Sequence, residues 1–453
     1  MARDFAWTVH PEAEAFVDGL VAEAVRRSPF VAGLAERLRT DTSTRLLDWL
    51  DHVAGPVEVG RLAGIGYAEE PTGVWRHPGA QLPAVVPAAG TVLALRVDDC
   101  AAAAGAFTAP EPVAGSPLSG LRRVVLSREA GVTVAAVERR SWSAGVVPQE
   151  LTDDQTVRAV RAWQLWAERR RGFDGAAGVA ATVAVAERMV ELVGTDLAAS
   201  YAMELERRYW QRRNTAAVLQ HARQDRLGLG WGNHDHHTFR SGRASFRPLL
   251  RIMEALGFAF RERFYAGDEG GWGAQVLEHR GCGAVVFADV DLSPEEAGVD
   301  FAAMTLPATG ELGTVGLWCA LHGESVLAAG MHHLEGQFEF DLMRDDMAAL
   351  GVGHLPPFSD FPHLRQAFTE AEPWPVPAER LDPLVAAGQL DPERAASFAA
   401  AGAPGSHLET LARRGGFKGF NQKNVSTTMR ATDPRVYNTG RRSENEDFPG
   451  WQA

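Results

Sequence analysis

Apolar residues recur at helical spacing over residues 11–39, where Phe16, Leu20 and Ala24 are followed by Val31, Leu34 and Leu38. The spacing predicts two helices broken at Ser28-Pro29. A further helix is expected over 42–53, where Leu46, Leu47, Trp49 and Leu50 cluster, and the Gly- and Pro-rich stretch 55–87 reads as irregular. Strand-like runs follow at 91–97, 121–127 and 132–140, and Gly131 in the turn makes the last two a hairpin. Residues 151–171 carry Val157, Val160, Trp163 and Trp166 at helical spacing behind Thr152, a suitable N-cap ahead of Asp153 and Asp154. Two more helical runs are expected, at 175–193 and 196–224, with a domain boundary near 172–178.

The pattern changes at WGNHDHHTFRSG, which begins at Trp231. On a strand, His234, His236 and Thr238 share one face, and Asp235, His237 and Phe239 the other. Arg240 falls on the His236 face. An imidazole and a guanidinium on one face suit a metal that chelates a carboxylate substrate whose remote end the Arg holds. Histidines on strands are also held by backbone and carboxylate partners, so His237 is expected to be structural and His234 to sit behind the ligand. A helical run (246–258) and two strand-like runs (259–266 and 274–279) complete a strand-helix-strand-strand unit. The layout recurs: an apolar, strand-like run (311–329), the pair His332-His333, and a helical run (340–351). Residues 364–376 read as a strand with Glu370 and Glu372 on one face, and 375–411 as an inserted helical region.

Composition narrows the chemistry. With 45 Lys+Arg and 58 Asp+Glu among 453 residues the net charge is −13, which argues against nucleic acid or an anionic membrane as partner. Cys100, Cys282 and Cys319 lack CxxC spacing, and an odd count makes a poor disulfide framework, so a reducing cytoplasm is expected. The N-terminal residues carry no basic, then apolar, leader pattern, and no apolar run approaches the ~20 residues of a membrane span. The Ala, Arg, Gly and Val bias suggests a GC-rich bacterial source. His52, Arg76 and His77 are isolated and carry no recognisable constellation.

The stretch DHHTFRS (Asp235 to Ser241), continued by GFAFRERFYA, resembles the opening motif of the 2-oxoadipate dioxygenase/decarboxylase family. That family's fold is vicinal-oxygen-chelate-like, with paired β-α-β-β modules forming a curved mixed sheet around a metal. The resemblance implies an α+β protein. It would have an N-terminal α/β domain (1–172) and a metal-dependent domain (173–453), with modules at about 229–295 and 311–376, a helical insertion at about 377–411 and a C-terminal motif at 413–434. It implies His236 as an iron ligand and Arg240 as the substrate-carboxylate residue. It places the second ligand at His333, with His332 as alternate, and a third, carboxylate ligand on a late strand, Glu370, with Glu278 and Glu335 as competitors. RRGGFKGFNQKNVSTTMRATDP (413–434) is similar to the family's closing motif, which brings in Phe417 and Asn421 as substrate-binding residues. Gly415 and Thr427-Thr428 replace the family's acidic residue and Glu-Ser, while Lys418 and Lys423 add local positive charge.

The expected function is therefore an Fe(II)-dependent dioxygenase, with Fe(II) ahead of Mn or Zn. Its substrates would be O2 and a small anionic 2-oxo acid or amino acid-derived carboxylate, decarboxylated and hydroxylated as 2-oxoadipate is to 2-hydroxyglutarate. The alternatives are a metal-dependent isomerase or lyase on the same scaffold, or a ligand-binding protein without chemistry.

Overall fold

A computed structural model describes residues 7–172, 175–265, 271–421 and 431–437; Lys423, Thr427 and Thr428 lie outside the described residues. Helices Pro11–Arg27 and Pro29–Thr42 form as the spacing predicts, and Ser28 caps the second by accepting from the Val31 amide. The expected helix over 42–53 does not form. One 3-10 turn, Leu46–Trp49, leads straight into strand β1 (Leu50–Gly55), buried along its whole length. A short apolar run of this kind fits a buried strand as well as a helix, and the hydrogen-bonding neighbours on both sides decide it.

Strands β2 (Ala68–Glu69), β3 (Trp75–Arg76) and β4 (Ala84–Pro87) come out of the stretch that reads as irregular; β5 (Thr91–Arg96), β6 (Leu121–Glu129) and β7 (Val132–Arg139) follow. They form one sheet in the order β2-β3-β4-β1-β5-β7-β6. Helix Asp153–Ala167 is capped by Thr152. The long helix Gly175–Gln211 breaks at Gly194 (φ 79), and the next helix, Thr215–Asp225, restarts on the Asn214 side chain, which accepts from the Ala217 amide.

The second sheet is built from β8 (His234–Arg240), β9 (Ala259–Tyr265), β10 (Trp272–His279), β11 (Ala284–Asp291), β12 (His333–Gln337), β13 (Ser359–Phe361), β14 (Leu364–Phe368), β15 (Glu372–Trp374) and β16 (Ala403–Arg413). Its order is β13-β14-β16-β12-β8-β11-β10-β9, with β15 on β16. Each half is one module. β8, helix Arg243–Ala255, β9, β10 and β11 fold so that the last strand returns parallel beside the first. β12, helix Phe340–Ala349, β13, β14 and β16 do the same. The modules join through the antiparallel pair β8·β12. This is the paired-module, vicinal-oxygen-chelate architecture, each module having one strand more than the β-α-β-β pattern read from the sequence.

Two expectations for the second module fail. The apolar stretch 311–329 is not a strand but helix Thr314–His322 and a short π turn, Ser325–Ala329. The helical insertion holds two helices, Ala378–Ala386 and Pro392–Ala401, but ends there; residues 403–413 are β16, a fully buried strand inside the sheet.

The N-terminal sheet repeats the same topology. β1 and β4 are parallel neighbours around helix Val59–Gly64, β5 and β7 are parallel neighbours around helix Cys100–Phe107, and β1·β5 is the antiparallel seam. Its second module is one strand short.

The halves meet through backbone. The Asp98 amide donates to the Leu229 carbonyl (3.3 Å), the Trp231 amide donates to the Asp98 carboxylate (2.7 Å), and the Gln81 amide donates to the Gly416 carbonyl (3.0 Å). At Gly232 the approach is closest: a Cβ there would lie 2.0 Å from the Arg96 carbonyl oxygen. Backbone on both sides leaves no flexible group to yield. Gly232→Ala is expected to destabilise the chain by about 1–3 kcal/mol, as overpacking does. Urea unfolding followed by tryptophan fluorescence measures it, and an unchanged midpoint would show that the halves part freely at this point.

Candidate metal centre

Three adjacent strands bring three donors together. His236 on β8, His333 on β12 and Glu409 on β16 present one ligand atom each, all within 4.8 Å of one another, and all three residues are buried. Sequence spacing explains the pairing of the histidines. His236 stands seven residues before helix Arg243–Ala255, and His333 seven before helix Phe340–Ala349. The module duplication places them as counterparts across the β8·β12 seam, with ring centroids 6.2 Å apart. His333 Nε2 lies 3.0 Å from Glu409 Oε2.

The carboxylate delivered to the histidines is Glu409, not Glu370. Glu370 is held at the Gly353 amide (3.4 Å) and is absent from the cluster. Glu278 is paired with Lys418 (3.0 Å) on the far side of the sheet, toward the N-terminal half. Glu335 is close: it contacts His236 Nδ1, and with Asp235 it makes a second group around that histidine. A helical reading of 375–411 hides Glu409, because the helical pattern ends at 401 and the strand begins at 403. The visible signal was the alternation of His407 and Glu409 in GSHLETLAR, a strand period.

The face assignments along β8 also need correction. His234 does not share the His236 face; its ring packs on His237 (5.3 Å) and it lines the cavities toward the N-terminal half. The cause is the irregular register between β8 and β12, which shifts between Leu334 and Gly336, the partner of His234. Asp235 consequently turns toward His236, with Oδ1 3.3 Å from its Nδ1. His237 lies behind the sheet between Arg207 (3.2 Å) and the Val285 carbonyl (3.2 Å). His332 packs on Trp318 and His407, with Nδ1 2.9 Å from His333 Nδ1.

Partners fix the donors. Gln366 Nε2 donates to both Glu335 Oε1 (3.1 Å) and Glu409 Oε1 (3.0 Å). Arg413 holds Asp235 with two bonds of 3.0 Å. Burial opposes the Asp235 charge, but Arg413 outweighs it and holds the carboxyl below its usual range. Burial depresses both His236 and His333, so each ring is neutral and ready to donate a lone pair. Burial, then the neighbouring carboxylates, push Glu409 up to about 7 and Glu335 well above its usual range. Two neutral imidazoles and a carboxylate lacking a counter-charge fit a divalent transition metal, and with His236 Nδ1 against carboxylates, Nε2 is its nitrogen available to a cation.

The pocket beside the donors is lined by rings: Phe264, Trp272, Phe287, Phe358, Phe368 and Phe420. Phe287 is informative. Glu409 pairs in register with Glu335, two residues past His333; Phe287 pairs with Thr238, two residues past His236. Module symmetry thus puts a phenyl ring where a fourth ligand would stand, leaving that side of the centre without a donor. The ring lies 4.6 Å from that of His236. Arg240 lines the same pocket, buried, with Nε 3.9 Å from Asp289, whose carboxyl burial raises to about 7 despite Arg240. Asn421 lines it too and donates to the Phe358 carbonyl (2.8 Å). Phe417 does not; it packs on Leu364 and Leu411 and bridges to Ala80 of the N-terminal half. The N-terminal sheet lacks the donor set: at the same spacing before its helices stand His52 and Leu93, and Leu95 pairs with Ala136 where Glu335 pairs with Glu409.

No family model and no curated protein matches the chain. Among solved structures, it is similar to a 4-hydroxymandelate synthase variant from Streptomyces coelicolor (13% identity, TM-score 0.30, 74% of this chain and 95% of that one). It is also similar to methylmalonyl-CoA epimerase from Mycobacterium tuberculosis (15%, 0.22, 40% and 87%). A third is a xylose isomerase-like TIM barrel/4-hydroxyphenylpyruvate dioxygenase fusion protein (13%, 0.25, 85% and 52%). At these values the likenesses carry no functional argument. No helix among the described residues is long and apolar enough to cross a membrane, and Cys100, Cys282 and Cys319 are buried and free.

Glu409 supplies a pH test. Its pKa is raised from the ordinary 4.5 to about 7, so the stability it contributes is whole below about pH 4.5 and lost as pH climbs through 7. In metal-free protein, Glu409→Gln should raise the thermal midpoint at pH 8 and converge with wild type toward pH 5. Equal midpoints at pH 8 would show that the carboxylate is compensated in some other way.

Proposed function

We propose that the chain is an Fe(II)-dependent dioxygenase acting on a small 2-oxo acid or related carboxylate. The observation that carries this is the convergence of His236, His333 and Glu409 with a phenyl ring, Phe287, at the fourth symmetric position. Two imidazoles and one carboxylate with a donor-free side suit non-haem Fe(II), which needs open positions for both substrate and oxygen. When bound there, the metal would act as Lewis acid and template for a chelating 2-oxo acid.

The chain's own residues set the rest. Gln366 orients Glu409, and Asp235, itself held by Arg413, stands at His236 Nδ1. The aromatic walls exclude water and receive the body of the substrate. Arg240, at the Asp289 side of that pocket, takes the substrate's remote anionic group, and Asn421 borders it. The resemblance to the 2-oxoadipate family supports the same division of labour between His236 and Arg240.

Protein purified without oxygen should carry about one iron per chain. His236→Ala and Glu409→Ala should remove it, whereas Glu370→Ala should keep it; metal analysis decides. Iron retained by Glu409→Ala would sink the ligand set. Oxygen uptake with a panel of 2-oxo acids separates oxygenase from isomerase or lyase, and iron without uptake would favour the latter. Arg240→Met should raise KM for a substrate with a remote carboxylate by roughly 30- to 100-fold, the equivalent of a charge-assisted bond of about 2–3 kcal/mol. Substrates lacking that carboxylate should be less affected, and an equal loss for both would show that Arg240 is structural.

A further inference from the structure

A separate cavity of about 170 Å³ lies between the N-terminal half and the sheet that carries the metal centre. It shares no lining residue with the aromatic pocket. Its walls are polar and come from both halves, including Arg45, Arg76 and Arg96 on one side and Arg413 and Lys418 on the other. Most of these cations are matched within the protein. Arg45 is paired with Asp48 (2.7 Å), Arg76 with Glu70 (3.2 Å), Arg413 with Asp235 (3.0 Å) and Lys418 with Glu278 (3.0 Å).

Arg96 is the exception. At the end of β5, where the cavity meets a smaller one, its guanidinium has no hydrogen bond or ion pair among the described residues. The nearest acid, Asp51, is fully engaged: Arg139 takes both its oxygens (2.6 and 2.7 Å) and His52 Nδ1 lies 2.7 Å from Oδ2. Asp98, which lines the smaller cavity with Arg96, is taken by Arg207 (3.4 Å) and the Trp231 amide (2.7 Å). The other acids of the smaller cavity are engaged as well, Glu138 by Arg122 and Arg140 and Glu204 by Arg140 and Arg208, so Arg96 is left without a bonded carboxylate. Arg96 is half-buried, and a partly desolvated guanidinium keeps its proton, so an anion beside it is favoured.

We propose that this cavity is a second binding site, for a small oxyanion, a carboxylate or a phosphate, anchored by Arg96. An apolar cavity of roughly 150 Å³ accepts a benzene-sized molecule, so this volume takes an anion of about that size. Polar walls supplied by two halves of a chain are a common setting for a ligand site. The site is independent of the iron reading, because none of its residues is a metal ligand.

The test uses metal-free full-length protein, titrated calorimetrically and by thermal shift with phosphate, sulfate, succinate and citrate. At least one anion should raise the midpoint of wild type and of His236→Ala alike. Arg96→Met should weaken that binding at least tenfold, while Arg240→Met should leave it unchanged. The relative affinities of phosphate and the carboxylates identify the source. Should Arg96→Met fail to fold, Gln81→Glu, an isosteric change at an exposed cavity residue, adds a negative charge and should weaken binding several-fold. Binding that survives Arg96→Met, or disappears in Arg240→Met, or that no anion shows at all, would overturn the proposal and leave a water-filled seam.

Discussion

Three carboxyl groups, Asp235, Glu335 and Glu409, are buried around His236 with one guanidinium, Arg413, to neutralise them. Such a set is unfavourable unless it is paired or bound to a cation, because desolvated negative charges repel strongly in a medium of low polarity. Arg413 stabilises Asp235, and the raised pKa values of Glu335 and Glu409 record the charge that remains. A divalent metal bound there would remove that conflict. The fold tolerates the crowding because Gln366 spans Glu335 and Glu409 and holds them at fixed positions from the neighbouring strand β14.

Duplication supplies the geometry of the site and its breakdown leaves one side without a donor. The β8·β12 seam makes His236 and His333 counterparts, and the return strands β11 and β16 then offer two equivalent positions. One carries Glu409 and the other Phe287. A symmetric site would surround a metal with four protein donors. The asymmetric one gives three donors and an aromatic wall, the arrangement expected where small molecules must reach the metal.

The N-terminal half carries the same topology without the donors, so its contribution is a surface. It closes over the back of β8 through Gly232 and Asp98, and it lines the polar cavity that Arg413 also borders. One side chain therefore touches both environments: Arg413 lines the inter-half cavity and grips Asp235, which stands against His236.

Much of this was legible in the sequence. The helix pair around Ser28-Pro29, the hairpin at Gly131, the shared face of His236 and Arg240 and the recurrence of His333 before a second helix all follow from local periodicity, whereas the faces of His234 and Asp235 depend on the register with β12. The 42–53 and 311–329 segments differ from their local pattern because short apolar runs have no distinctive period, and their state depends on what covers them. Glu409 was hidden because it lies 76 residues beyond His333 and comes beside it only when β16 pairs parallel with β12. Glu370 fits the alternation, but its strand ends two positions before it and its carboxylate turns to Gly353. The sequence by itself determined the donor types and the module repeat; only the tertiary structure decided which carboxylate joins the histidines and which position stays open, because strand order is set by packing between distant segments.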